Sequence, residues 1–394
     1  MQRQVRGSPE DELLLLLVRG RFTPEVQDDI GALLGQELSW PHILRQARAH
    51  DLFPILYRNL QTIEFPGVPT AVRAELADAY RLNALRNALL VRELIQVLRL
   101  LGEAGVPVIP LKGVALAESL YGDLTLRVCV DIDILVPRPL VAPALHLLLA
   151  RGYTAGFTER FFADVLLAST IEYALVREDR WFRYLLELHW GILWGKRWDG
   201  DATEDLWAQA HPHVCFGVPA YTVSPEWEFL FLAAHAARHH WQGLKWLLDI
   251  HEVCCQREID WETVRDKAER LGWEEVVRLT LNACHALFET PLPAPFSVGA
   301  LPPWLQLFPD DPPPRSWQDA FFPLYLLKRP SDRLSYALNA LFVPTLAERQ
   351  SLRLPAPLLP LYYPLRPLRL GYKWGWRLVL AGLQRLRGYV RRRC

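Results

Sequence analysis

Asp131 and Asp133 lie two residues apart within an otherwise apolar stretch, residues 128–136. A β-strand directs alternate side chains to opposite faces, so this spacing predicts both carboxylates on one face and the neighbouring isoleucines on the other. Two carboxylates this close repel each other, and burying them is costly unless a cation neutralises them. The pattern therefore predicts a divalent metal site. The alternative is a pair of solvated acids at the end of a strand.

A third acid, Glu187, lies in a second alternating stretch, residues 185–190. If this stretch forms a strand beside the aspartates, alternation places Glu187 and His189 on a common face, which can be the face of Asp131 and Asp133. Carboxylate oxygens suit Mg²⁺ or Mn²⁺, and two such ions about 3.5–4 Å apart activate an attacking hydroxyl and stabilise a leaving pyrophosphate. We expect Glu187 to complete the metal site.

Lys112 and Gly113 precede the aspartates and are predicted to form a turn between a strand and a helix. At such a turn, backbone amides and the start of a helix can meet phosphate groups. The lysine adds a positive point charge. The turn is therefore predicted to contact a triphosphate.

Several motifs together resemble one protein family. The set consists of Leu111-Lys112-Gly113, Tyr121-Gly122-Asp123, Arg127, residues 131–136, Gly152-Tyr153, residues 187–190, residues 235–239, residues 244–246 and Asp249. As a set, these motifs resemble the uncharacterised nucleotidyltransferase family of the DNA polymerase β superfamily, over residues from about 10 to 370.

The resemblance implies transfer of a nucleoside monophosphate from an NTP to a hydroxyl, with two aspartates on one strand and a third acid on a neighbouring strand holding the metals. Among the motif residues, Arg127 is assigned to nucleotide binding. The chain departs from the superfamily in two places. It has Lys112-Gly113 where Gly-Ser is usual, and its third acid is Glu187 rather than Asp.

Two histidines, His235 and His239, are four residues apart and share one face of a predicted helix. One reading is that these groups fasten the helical region to the α/β region. A zinc site is a second reading, although the Glu of a His-Glu-x-x-His motif is missing. The third is contact with the triphosphate or the acceptor, for which Arg238, His239 and Lys245 are the nucleotide-binding candidates.

The elements that position these residues follow from periodicity. Apolar residues at three- and four-residue spacings predict helices at 12–19, 24–38, 41–50, 71–102, 141–152 and from 225 to 255, and alternation predicts strands at 106–111, 127–136, 170–176 and 184–193. The fold class is α+β, a small mixed sheet flanked by helical regions. The predicted regions are helical at 1–104, nucleotidyltransferase core at 105–222, helical at 223–290, and a Pro-rich connection with basic helices at 291–394.

Composition is that of a folded protein, with 394 residues, 51% hydrophobic and 22% charged. No apolar run reaches the roughly 18 residues of a membrane span. The six cysteines lack the regular spacing of a zinc site or a disulfide framework, so a reducing cytoplasm is expected.

The C-terminal residues 351–394 carry ten Arg or Lys and no acid, so the first 350 residues have a formal charge of about −10. Three readings of this tail stay open: peripheral contact with an anionic membrane, contact with nucleic acid, and packing against the acidic body of the protein. For the whole chain, the leading hypothesis is a two-metal nucleotidyltransferase acting on a small molecule, a protein or an RNA end. The contrasting hypothesis is an inactive nucleotide-binding or interaction module in a biosynthetic cluster. Nucleic-acid binding alone is the weakest hypothesis.

Overall fold

The computed structural model describes residues 7–167, 170–192, 200–294, 296–297, 299–302, 305 and 322–373. The chain divides into two compact units. The first consists of Met1–Thr154, Glu172–Ile192 and Gly200–Pro313, and the second of Ala155–Ile171, Leu193–Asp199 and Pro314–Cys394. The predicted boundaries after residues 104, 222 and 290 fall inside the first unit, so the four predicted regions remain a prediction.

The first unit begins with five helices: α1 Pro9–Leu17, α2 Pro24–Leu34, α3 Trp40–Ala49, α4 Phe53–Thr62 and α5 Thr70–Glu103. Ser8 and Asp11 form a capping box at the start of α1, and Thr23 caps α2. Four of these helices were predicted from periodicity. The prediction missed α4, whose first turn contains Pro54.

A four-stranded mixed sheet follows, which confirms the predicted α+β class. Its strands are β1 Ile109–Pro110, β2 Ile132–Leu135, β3 Glu172–Glu178 and β4 Arg183–His189, in the order β1-β2-β4-β3. Strand β2 is antiparallel to β1 and parallel to β4, and β3 is antiparallel to β4. Helix α6, Val141–Ala150, comes between β2 and β3 in the chain.

Strand β2 is shorter than the predicted strand at 127–136. The residues before it are held by helix α5 instead of by a neighbouring strand. The Asn83 side-chain amide donates to the carbonyls of Thr125 and Arg127, and the Asn87 amide donates to those of Leu124 and Arg127. Because side chains satisfy these backbone carbonyls, the segment needs no ladder partner. Asp131 consequently lies immediately before the strand rather than inside it.

A two-stranded hairpin, β5 His211–Cys215 and β6 Val218–Thr222, follows helix α7, Gly200–Ala208. Phe216 and Gly217 at its tip both have positive φ, 49° and 75°, as a two-residue hairpin turn requires. The amide of Tyr221 donates to the carbonyl of Val108, which ties the hairpin to the segment before β1. No strand was predicted from the sequence at either arm of this hairpin.

Four helices complete the described part of the first unit: α8 Pro225–Arg238, α9 Leu244–Gln256, α10 Trp261–Leu271 and α11 Glu274–Phe288. Ser224 caps α8, Asp260 caps α10, and Gly272 ends α10 in the left-handed conformation. Trp227 and Trp241 are fully buried in this region. Residues His240 and Trp241, both with positive φ, form the turn that brings α9 back beside α8.

In the second unit, the longest described helix is α12, Pro330–Phe342. Phe161 packs edge-on against Tyr362, with ring centroids 5.6 Å apart. Residues 374–394 of the predicted basic tail lie outside the described residues, so its three interpretations stay open. Across the described ranges, none of the helices combines the length and apolar character needed to cross a membrane.

Candidate metal centre

The central feature of the site is the pairing of Asp133 with Glu187. The two residues are direct partners in the parallel register of β2 and β4. β2 and β4 are therefore adjacent strands, as the placement of Glu187 beside the aspartates requires. One ligand atom each from Asp133, Glu187 and His189 lies within 4.8 Å of the others. Two carboxylates and an imidazole are therefore gathered at one place on the sheet.

Asp133 is the most buried acid of this cluster, with 2% exposure. Its Oδ1 accepts hydrogen bonds from Lys112 Nζ at 2.9 Å and from His189 Nε2 at 3.2 Å. Its Oδ2 is also buried, and among the described residues no donor reaches it. An unsatisfied buried carboxylate oxygen is costly, and coordination of a cation removes that cost.

Lys112 places its ammonium between the two carboxylates. Its Nζ lies 2.9 Å from Asp133 Oδ1 and 3.9 Å from Glu187 Oε2, and the side chain is 9% exposed. Burial alone lowers the pKa of Lys112, but the charges of Asp133, Asp131 and Glu187 outweigh it and raise the pKa. The lysine is therefore a charged partner of the acids.

His189 bridges the acids to a second layer of charges. Its Nε2 lies 3.6 Å from Glu187 Oε2, and its Nδ1 lies 3.2 Å from Glu172 Oε2. Burial lowers the pKa of His189, but hydrogen bonds to Asp133 and Glu187 and the charge of Glu172 outweigh it and raise the pKa to about 9. Hydrogen bonding by His189 in turn holds the pKa of Glu187 below its usual value.

Asp131 is close to the cluster without belonging to it. It directly precedes β2 and is partly exposed, and its carboxylate is not in the group whose ligand atoms lie within 4.8 Å of one another. Burial and the neighbouring charge of Asp133 raise its pKa. The aspartate pair is therefore split into a buried member inside the cluster and an outer member beside it.

Gly113 adopts φ +67°, a left-handed conformation that favours glycine. A Cβ at this position would lie 3.2 Å from the carbonyl oxygen of Asp131. The helix that follows is one short turn, Val114–Leu116, continued by a π-helical turn over Ala117–Tyr121. The glycine therefore allows the turn to pass close to the backbone of the aspartates.

Arg127, predicted to bind nucleotide, is 4% exposed and forms an ion pair with Asp249 of α9. Its Nε and Nη2 donate to the carboxylate at 2.9–3.1 Å, and the Tyr121 hydroxyl donates to the same group at 2.9 Å. Its Nη1 donates to the carbonyl of Gly113 at 3.4 Å. These contacts place Arg127 beneath the Lys112-Gly113 turn, where it supports the turn.

The remaining nucleotide-binding candidates lie on α8, on α9 or between them, and each contacts another part of the fold. Arg238 Nη1 lies 2.7 Å from Glu172 Oε1 and remains 46% exposed. Lys245 Nζ donates to Asp51 Oδ2 at 2.7 Å and to the carbonyl of Val128 at 3.2 Å. His239 packs against Trp246, with ring centroids 4.5 Å apart.

The zinc reading of His235 and His239 gains no support. Their rings lie 4.9 Å apart, yet neither belongs to a group of three potential ligands among the described residues. Burial and then the charge of Lys112 hold the pKa of His235 well below its usual value. The contacts of Lys245 and Arg238 agree with the fastening reading.

His189 and Glu172 belong to the site, but no role was predicted for either of them from the sequence. His189 had been placed on the face of Glu187 by alternation, so its position was predictable although its role was not. Glu172 opens β3 and pairs with His189 across the antiparallel register. The available signal was an acid at the start of a neighbouring strand, but the strand order was needed to interpret it.

The donor set suits a divalent cation. Asp133 and Glu187 offer hard oxygen ligands, Asp131 offers another beside them, and His189 offers a nitrogen that transition ions such as Mn²⁺ accept. The buried, unpartnered Oδ2 of Asp133 is the observation that favours a bound cation over a purely structural cluster.

A family model described as an uncharacterised nucleotidyltransferase matches residues 36–289, well over half of the chain. The matched region contains all four strands of the mixed sheet and helices α3 to α11. No curated protein and no solved structure matches the chain.

Proposed function

Because the chain belongs to the uncharacterised nucleotidyltransferase family, we propose that it transfers a nucleoside monophosphate from an NTP to a hydroxyl acceptor with the help of Mg²⁺ or Mn²⁺. The observation that carries this proposal is the direct pairing of Asp133 with Glu187 on parallel strands, with a buried carboxylate oxygen that no described donor satisfies. The residues proposed to hold the ions are Asp131, Asp133 and Glu187, with His189 as a further ligand.

In the proposed reaction, the acceptor oxygen forms a bond to the α-phosphorus as the bond from that phosphorus to the pyrophosphate oxygen breaks. The acceptor proton leaves with a base, and pyrophosphate carries away the bonding electron pair. The bound cation supplies charge neutralisation for the phosphates and lowers the pKa of the attacking hydroxyl. Most of the remaining catalysis is orientation and electrostatic stabilisation.

The carboxylates are suited to different parts of this reaction because their exposure differs. The Asp133 side chain is fully buried, so it holds charge but cannot reach a substrate. The Glu187 side chain is 26% exposed, and hydrogen bonding by His189 keeps its pKa low, so it is ionised near neutral pH. Glu187 is therefore the carboxylate proposed to orient the acceptor hydroxyl and to receive its proton.

The positive groups are suited to the phosphates. Lys112 already contacts the carboxylates that would hold the cation, so its ammonium could pair with a phosphate bound there. Arg238 is 46% exposed on the far side of Glu172, and its guanidinium is the most open charged group of this layer. A planar guanidinium binds phosphate oxygens in a bidentate manner, so we assign Arg238 to the outer phosphates.

Incubation with each α-labelled NTP, Mg²⁺ and fractionated cell extract tests the proposal. We expect label to enter one macromolecule or metabolite fraction, and pyrophosphate to be released in equal amount. Asp133→Asn should abolish this transfer, and the exposed Asp78 offers a matched control, since Asp78→Asn should leave it unchanged. Binding of NTP without any transfer would favour the inactive nucleotide-binding module instead.

A further inference from the structure

Lys112 and a metal ion would need the same oxygens. The ammonium bonds to Asp133 Oδ1 and approaches Glu187 Oε2, and these are two of the three groups whose ligand atoms cluster within 4.8 Å. A divalent cation held by these acids would therefore lie beside a buried ammonium. Like charges in a buried site repel strongly, because little water screens them.

The other partners of the cluster can remove this conflict. His189 is also cationic beside the acids, but when it gives up its Nε2 proton it offers a nitrogen ligand in place of a charge. Glu172 and Arg238 already pair with each other at 2.7 Å on the side away from Asp133. Of the described groups that touch the two acids, Lys112 is a cation under all ordinary conditions and has no ligand atom to offer while it is charged.

Lys112 also has a flexible side chain. Its four-carbon side chain projects from the residue next to Gly113, which the left-handed turn holds close to the backbone of Asp131. In the proposed function the triphosphate lies next to the bound cation. A displaced ammonium would therefore find phosphate oxygens within the reach of its side chain.

We propose that Lys112 is a built-in counter-cation that a divalent ion displaces from Asp133 and Glu187, and that the triphosphate of the nucleotide receives the displaced ammonium. This inference rests on the proposed function. The consequence is that the site binds the metal ion weakly in the absence of nucleotide and tightly in its presence. By thermodynamic linkage, the nucleotide strengthens metal binding by the same factor as the metal strengthens nucleotide binding.

Titration of Mn²⁺ into the nucleotide-free protein tests the displacement. Lys112→Met keeps the length of the side chain and removes its charge, so we expect Mn²⁺ affinity to rise about tenfold or more, which corresponds to roughly 1.4 kcal/mol. Affinity for a non-hydrolysable NTP in saturating Mn²⁺ should fall in the same variant. Unchanged or weaker Mn²⁺ binding by folded Lys112→Met would overturn the inference.

Lys267→Met is the matched control. Lys267 is as buried as Lys112, with 7% against 9% side-chain exposure, and it also pairs with an aspartate, Asp205. It does not bond to the acids of the metal cluster. We expect its replacement to leave Mn²⁺ affinity at the wild-type value. A similar rise in both variants would show a general effect of lost positive charge and would refute displacement at the site.

A measurement on the wild-type protein covers the case in which Lys112→Met does not fold. Modification by an amine-reactive reagent, followed by peptide mass spectrometry, should become faster at Lys112 when Mn²⁺ is added and remain constant at Lys267. An unchanged rate at Lys112 in saturating Mn²⁺ would overturn the inference while leaving the metal site intact. Failure of the wild-type protein to bind Mn²⁺ even in the presence of a non-hydrolysable NTP would overturn the proposed function as well.

Discussion

The ion pair of Arg127 and Asp249 leads to a stability prediction that also tests the role of Arg127. Arg127 is 4% exposed and Asp249 is fully buried, and the pair is reinforced by the hydroxyl of Tyr121. Asp249→Ala removes the carboxylate, so the buried Arg127 guanidinium and the Tyr121 hydroxyl lose their shared hydrogen-bond acceptor. Breaking a buried pair in this way costs about 3–5 kcal/mol, and the stranded hydroxyl adds roughly 1 kcal/mol.

We therefore expect Asp249→Ala to lower the free energy of unfolding by about 4 kcal/mol or more, measured by urea titration. The double variant Arg127→Met with Asp249→Leu replaces both charges with apolar groups and should recover most of that loss. Asp78→Ala, which breaks an exposed pair with Arg81, should cost about 1 kcal/mol or less.

A loss for Asp249→Ala no greater than that for Asp78→Ala would refute the assignment of Arg127 as a buried support of the turn. Nucleotide affinity of the double variant separates the two roles further. If Arg127 supports the turn from below, the folded double variant keeps most of its NTP affinity. A large loss of affinity at unchanged stability would restore the direct nucleotide contact predicted from the sequence.

Four other perturbations probe the site and its surroundings. Glu187→Gln should lower turnover by about 100-fold or more in a labelled-NTP assay with NTP affinity nearly unchanged, and a normal rate would remove its proposed role as base. Mg²⁺ or Mn²⁺ should raise the melting temperature of the wild-type protein, and Asp131→Asn with Asp133→Asn should abolish that shift; a persisting shift would locate the ion elsewhere. Gly113→Val should weaken metal and NTP binding together in calorimetry, because a Cβ would press on the aspartate backbone at φ +67°, and wild-type affinities would contradict this. Burial lowers the pKa of His251 to about 4, below its unfolded value of about 6.5. Because the unfolded chain takes up the proton first, the free energy of unfolding should fall by roughly 3 kcal/mol as the pH drops from 6.5 towards 4. Urea unfolding of His251→Gln should show a weaker loss over this range, and an equal loss would exclude His251 as the source.

The sequence predicted the face of the sheet that carries the acids. Alternation along β4 put Glu187 and His189 on one face, and the parallel register with β2 places Glu187 directly opposite Asp133. A two-residue period is a strong signal because slipping by one residue would turn every side chain to the other face. The prediction that Asp133 and Glu187 lie together therefore required only that β2 and β4 be neighbours.

Alternation could not predict where β2 begins. Asp131 was expected inside the strand, but Asn83 and Asn87 of α5 hold the carbonyls of the preceding segment. These contacts join residues about 40 positions apart, so no local pattern reports them. The split of the aspartates into a buried and a partly exposed member is a consequence of this tertiary contact.

The roles of the basic residues were the hardest to predict. Arg127, Arg238 and Lys245 all appeared as phosphate-binding candidates, because a positive charge near acids and a Gly turn suggests an anionic ligand. The structure pairs each of them with an acid from a distant part of the chain, Asp249, Glu172 and Asp51 respectively. Partners of this kind depend on the packing of helices against the sheet, which composition and spacing do not encode locally.

The most direct test of the central claim is a crystal structure of the protein grown with Mn²⁺ and a non-hydrolysable NTP, read by anomalous scattering at the manganese edge. We predict an anomalous peak at bonding distance, about 2.0–2.3 Å, from carboxylate oxygens of both Asp133 and Glu187. We also predict that the Lys112 ammonium will have moved from Asp133 to the triphosphate. An anomalous peak away from these carboxylates, with Lys112 still paired to Asp133, would contradict the proposed metal centre.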